Sequence, residues 1–116
     1  MGKMNSIQLI GRIASDLELK VKQGKEGKEV KWVSFTLAVK RSRATQNLEQ
    51  DTDFIECMCF GKLAEIVTGY KKKGNMLGVM GELHIDKYKD DNGTRYFTKV
   101  MASEIDLILN ENRGSQ

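Results

Sequence analysis

"TDFIECMCFGKLAE", residues Thr52 to Glu65, decides how this chain folds. Side chains on a strand alternate between two faces. A strand from Asp53 to Phe60 therefore places Ile55, Cys57 and Cys59 on one face and Phe54, Glu56, Met58 and Phe60 on the other. The first set is small to medium in size and suits a close-packed interior. The second joins a carboxylate to two large aromatics, an odd set for an interior and an expensive one for a face turned only to water. After Phe60 the period changes. Leu63, Ile66, Val67 and Tyr70 recur at helical spacing, and Gly74 follows three lysines as a stop signal, so "KLAEIVTGYKKKG" reads as one short amphipathic helix. Gly69 inside it costs about 1 kcal/mol against alanine and weakens the last turn.

Strand patterns lie on both sides of this stretch. Upstream, Ile7 and Leu9 alternate with Gln8, then Leu17, Leu19 and Val21 alternate with Glu18 and Lys20, giving a long, interrupted first strand with a bulge or bend at Gly11. "KQGKEGKE" is a charged, glycine-punctuated turn. A second strand from Val30 to Lys40 sets Val33, Phe35, Leu37 and Val39 against Trp32, Ser34, Thr36 and Ala38, and the polar stretch Arg41 to Asp51 reads as a flexible connection. Downstream, Leu77, Val79, Leu83 and Ile85 take one face of a fourth strand, and Met76, Met80, Glu82, His84, Asp86 and Tyr88 take the other. Asn-Gly in "KDDNGT" signals a hairpin. A fifth strand begins near Arg95, is irregular at Ala102 to Glu104, and ends in Ile105 to Leu109. Five strands with a lone helix between the third and fourth predict an all-β, Greek-key barrel whose helix plugs one end.

With 116 residues, 40% hydrophobic and 30% charged, the chain makes one ordinary domain. It has no apolar run of the roughly 18 residues a membrane span needs, and "MGKMNSIQ" has no apolar segment of signal-peptide length, so the expected location is cytoplasmic. Lys and Arg number 19 against 16 Asp and Glu, a net charge of +3 that is compatible with a polyanion partner. Cys57 and Cys59 lie two apart on one face, a poor geometry for bridging, and read as buried thiols. With His84 the only histidine, neither a zinc site nor another cofactor is expected. There is no phosphate-binding Gly-rich loop with Lys-Ser/Thr and no Ser-His-Asp order, and Asp90 and Asp91 read as turn residues, so no enzyme is expected.

"MNSIQLIGRIASDLEL", "FTLAVKRSR", "TDFIECMCFGKLAEIVTGYKKKGNMLGVMGEL" and "DKYKDDNGTRYFTKV", taken in order, resemble the bacterial and phage-type single-stranded DNA-binding proteins. The resemblance implies a five-stranded oligonucleotide-binding (OB) barrel over residues 1–109, a polar tail at 110–116, and assembly as a homotetramer. It implies binding of single-stranded DNA with little sequence preference, in replication, recombination and repair. Phe54 and Phe60 fall where the family places stacking aromatics, and Tyr88 falls on a third such position. Arg43 replaces a fourth aromatic, and its guanidinium can stack on a base and pair with phosphate. The implied phosphate contacts are Lys40, Arg41, Lys62, Lys72, Lys73 and Lys87, while His84 and Asp86 stand where many members have arginines. Met76 and Met80 are the implied subunit contacts. Cellular members usually carry a long tail with an acidic tip that recruits other proteins. This sequence stops at "ENRGSQ" without one, as expected of a trimmed core or a minimal phage or plasmid form, and Met1 to Lys3 read as an extension before the family-like start.

Other readings of the same residues stand beside these. Phe54 and Phe60 could form a subunit contact, Tyr88 could cover its own hairpin, and Trp32 reads equally as interface or groove wall. The rival function is an RNA-binding or protein-interaction module of the same fold.

Overall fold

The computed structural model describes residues 4–43 and 50–109. The expected terminal extension and polar tail, and the middle of the connection after the second strand, lie outside the described residues. The elements in chain order are β1 (Ile7–Ile13), β2 (Lys20–Gln23), β3 (Glu29–Lys40), β4 (Thr52–Phe60), α1 (Gly61–Tyr70), β5 (Met76–Asp90) and β6 (Gly93–Asp106). They form one sheet in the order β1-β5-β6-β4-β3-β2, and an additional pairing of β1 with β3 closes the five longer strands into a ring. β4 and β6 run parallel; the other pairings are antiparallel. This is the all-β barrel with one short helix that the sequence predicts.

The interrupted first strand resolves into β1 and β2. Between them the Ala14 N–H donates to the Thr36 carbonyl and the Thr36 N–H donates to Ser15 Oγ, both at 2.8 Å. Leu17 and Leu19 pack against the core without joining a ladder. Their alternation therefore reports burial rather than pairing. The bend expected at Gly11 falls where β1 changes partner, since Arg12 pairs both with Met76 of β5 and with Ala38 of β3. There Gly11 lies so close to the Ala38 carbonyl that a Cβ has no room.

The core collects one face of every barrel strand: Ile13 from β1, Val33, Phe35 and Leu37 from β3, Cys57 and Cys59 from β4, Leu77 and Val79 from β5, and Val100 from β6. Burying each of the larger aliphatic or aromatic chains contributes about 1.5–3 kcal/mol. The helix closes this core through Ala64 and Val67, with Leu63 packed beside them. Its stripe is narrower than the periodicity implies. Tyr70, at the end of this ten-residue helix, is 69% exposed.

The irregularity expected near Ala102 is a bulge: Gly81 pairs with Ala102 and Met80 with Glu104, leaving Ser103 as the extra residue. Its hydroxyl donates to the Met80 carbonyl at 3.3 Å. The hairpin turn is Asp91–Asn92, closed by the pair Asp90 and Gly93, with the Asn92 N–H donating to Asp90 Oδ1 at 2.8 Å. β6 thus starts two residues before the expected position and ends at Asp106 rather than Leu109.

Candidate nucleic-acid interface

Directly paired residues on neighbouring strands share a face, with Cβ atoms about 4.5–5.5 Å apart. On the outer face of β3 and β4 the pairs are Trp32 with Phe60, Ser34 with Met58, Thr36 with Glu56, and Ala38 with Phe54. Phe54 is 68% exposed and Phe60 45%. Their rings are open, one beside the small Ala38, and their separation along β4 is roughly 20 Å at about 3.4 Å per residue. Glu56, so awkward in the sequence, accepts a short hydrogen bond from the Thr36 hydroxyl between the two rings, on the Phe54 side. The face is therefore a polar, satisfied centre flanked by aromatic ends.

This face runs on across the ring. Met58 pairs with Met101 of β6, and Met101 with Glu82 of β5. Along the β5–β6 hairpin the same outer side carries Tyr88, half exposed, directly opposite Arg95, with Phe97 at the diagonal position. Phe54 and Phe97 each stand four residues before the parallel Met58–Met101 pair. Sequence reading missed Arg95 and Phe97; the hairpin register set by "DDNG" is the signal that finds them. The two departures from the family pattern are both engaged: Asp86 meets Lys99 Nζ at 2.7 Å, and His84 Nε2 lies 2.9 Å from Glu82 Oε1.

The expected basic contacts divide by position. Lys62 is exposed in the first turn of α1, Lys72 and Lys73 are exposed just beyond its end, and Arg43 is exposed after β3. Lys40 is exposed and lies 3.8 Å from Asp51. Arg41 is held by Asp53 through two hydrogen bonds, 2.9 Å from Nε and 2.8 Å from Nη2. The hydrogen bond from Arg41 holds the Asp53 carboxyl below its ordinary range, and the same contact raises the guanidinium. Lys87 pairs with Tyr96, so it lies on the side of the hairpin away from Tyr88.

The face of β1 and β5 is different in kind. Gln8 pairs with Met80, Ile10 with Gly78, and Arg12 with Met76. Met76 and Met80 are partly buried, and Ile10 is 62% exposed beside the glycine. Within this chain β1 pairs with β3 only at Arg12 and Ile13.

Cys57 and Cys59 are buried free thiols. Burial pushes Cys57 up to about 12 and Cys59 up to about 11, so neither is a thiolate near neutral pH. Among the described residues no three His, Cys, Asp or Glu side chains are grouped to hold a metal, and no helix is long and apolar enough to cross a membrane.

The family model described as "Single-strand binding protein family" matches residues 4–108. The chain belongs to this family. A single-stranded DNA-binding protein of Bacillus cereus is 37% identical over 114 residues, which cover 97% of this chain and 65% of the relative. That of Halalkalibacterium halodurans is 39% identical, covering 97% and 64%. Single-stranded DNA-binding protein 3 of Clostridium acetobutylicum is 41% identical over 106 residues, covering 90% and 71%. The chain thus spans about 65% of the length of the first two. Among solved structures, a deletion mutant of the single-stranded DNA binding protein from Thermus aquaticus superposes with a TM-score of 0.65 at 27% identity, covering 90% of this chain and 40% of that one. Members of the family are non-enzymatic.

Proposed function

We propose that this chain binds single-stranded DNA largely without sequence preference and shields it during replication, recombination and repair, in the cytoplasm of a bacterium or a phage-infected cell. The observation that carries this reading is the pair of open rings, Phe54 and Phe60, on one uninterrupted outer face. Every base has a π-face, so an aromatic platform accepts any sequence, at about 1–3 kcal/mol per stacked base. A duplex hides those faces, which excludes it by geometry. The family match and the relatives' names support the same ligand.

In this reading Phe54, Phe60 and Tyr88 stack bases, and Arg43 stacks or pairs with phosphate. Lys40, Lys62, Lys72, Lys73 and Lys87 neutralise phosphates, and Arg41 joins them by exchanging Asp53 for a phosphate oxygen. Assembly is a homotetramer through β1 and β5, using Met76, Met80 and the exposed Ile10. β1 pairs with β5 from Ile7 to Arg12 but with β3 only from Arg12 on, and the edge this leaves open supports the assignment.

Anisotropy of a labelled oligo-dT, compared with labelled duplex and oligo-rU, tests the ligand. Tight, salt-sensitive binding of oligo-dT alone is expected. Equal binding of oligo-rU moves the function to RNA, and no binding at low salt removes it. A mass in solution other than four chains rejects the tetramer.

A further inference from the structure

Lys20 of β2 pairs with Trp32 of β3, and Trp32 pairs with Phe60 of β4. Ammonium, indole and phenyl ring therefore stand side by side on one face, a row about 10 Å across at about 4.8 Å per strand. We propose that this row is a further nucleotide subsite, in which Trp32 stacks a base next to the one on Phe60 and Lys20 meets its phosphate. This rests on the single-stranded DNA reading above and extends its platform from β4 across β3 to β2.

Three observations carry it. Trp32 is partly buried while its neighbour Phe60 stays 45% exposed, so the indole is anchored beside an open ring. Lys20 is weakly committed: its ion pair with Glu18 spans 3.8 Å between exposed side chains, the kind of contact a phosphate displaces at little cost. The surroundings are also cationic. Lys22 sits opposite Val30 on the same face, and exposed Lys62 follows Phe60 by two residues. A two-fold contact between copies of this surface sets these like charges against one another, whereas a polyanion neutralises them. Aromatic faces framed by lysines match a single strand, whose bases stack and whose phosphates release counterions.

Trp32 is the chain's one tryptophan, so indole emission reports this position alone. Titration with oligo-dT is followed at once by indole emission and by anisotropy of a label on the oligonucleotide. Emission should be quenched in step with the anisotropy rise. Trp32→Ala should weaken binding of a short oligo-dT roughly tenfold, Trp32→Phe should recover much of it, and Lys20→Ala should lower the salt slope by about 0.7. Saturated anisotropy with unchanged emission overturns the subsite and leaves the wider reading intact. So does full affinity in a cooperatively folded Trp32→Ala protein, or a changed mass in solution, which makes Trp32 a subunit contact. Absence of any anisotropy change at low salt defeats the wider reading instead.

Discussion

The guanidinium of Arg41 donates two hydrogen bonds to the carboxylate of Asp53, closing the end of β3 onto the start of β4 immediately beside Phe54. Because the carboxyl is held below its ordinary range, this contact stabilises the fold above the unfolded-state carboxylate pKa and is lost as pH falls through the lowered value. Asp53→Asn should therefore unfold at lower denaturant than the native chain at neutral pH, with the gap narrowing below about pH 4. The same substitution removes the carboxylate's competition with phosphate. Oligo-dT affinity should rise in Asp53→Asn, since Arg41 no longer has to break its ion pair to meet a phosphate; an unchanged affinity takes Arg41 off the phosphate path.

Phe54→Ala with Phe60→Ala removes two rings that the core does not use. Oligo-dT affinity should fall by about 1–3 kcal/mol per ring, measured by anisotropy, while urea unfolding stays cooperative. Loss of the cooperative transition would instead make these rings part of the packing.

Each lysine that neutralises a phosphate leaves a mark on salt dependence. Lys62→Ala, Lys72→Ala and Lys73→Ala should each lower the slope of log K against log salt by about 0.7. Lys87→Ala should lower it as much, although Lys87 lies on the side of the hairpin away from Tyr88. A full decrement there would show that the strand wraps both sides of the β5–β6 ribbon.

Gly81 sits inside the bulge, where a Cβ would meet the backbone of Met101 and Ala102. Gly81→Ala should destabilise by about 1–3 kcal/mol, since main chain rather than a flexible side chain must yield. A urea midpoint equal to the native one would show that the bulge relaxes freely.

The thiols of Cys57 and Cys59 should resist an aromatic disulfide reagent at pH 7 to 8, being buried and protonated, and both should react once the chain is unfolded. Rapid modification of the native protein would contradict the closed core.

The sequence shows the barrel strands because their inward residues alternate with polar or functional ones; Val33, Phe35 and Leu37 against Cys57 and Cys59 are legible at sight. It shows Phe54 and Phe60 for the same reason, since large rings with the wrong parity for a core need another purpose. Leu17 and Leu19 mislead because burial without pairing produces the same alternation as a strand. Arg95 and Phe97 stay hidden, and Trp32 stays divided between interface and groove wall, because their partners depend on register, and register depends on where turns begin and which residue a bulge leaves unpaired. A one-residue uncertainty at Asn92 or Ser103 reassigns every partner along the hairpin.

Two pairs stitch β1 to β3, at Arg12 and Ile13, and two stitch β4 to β6, at Cys57 and Met58, whereas nine pairs join β3 to β4. The amides at these two short seams should therefore trade hydrogen for deuterium well before those that pair β3 with β4 beneath Phe60. A ligand lying over β3 and β4 grips the stiff wall of the cylinder, leaving the pliable joints on either side of it free to flex without loosening its hold.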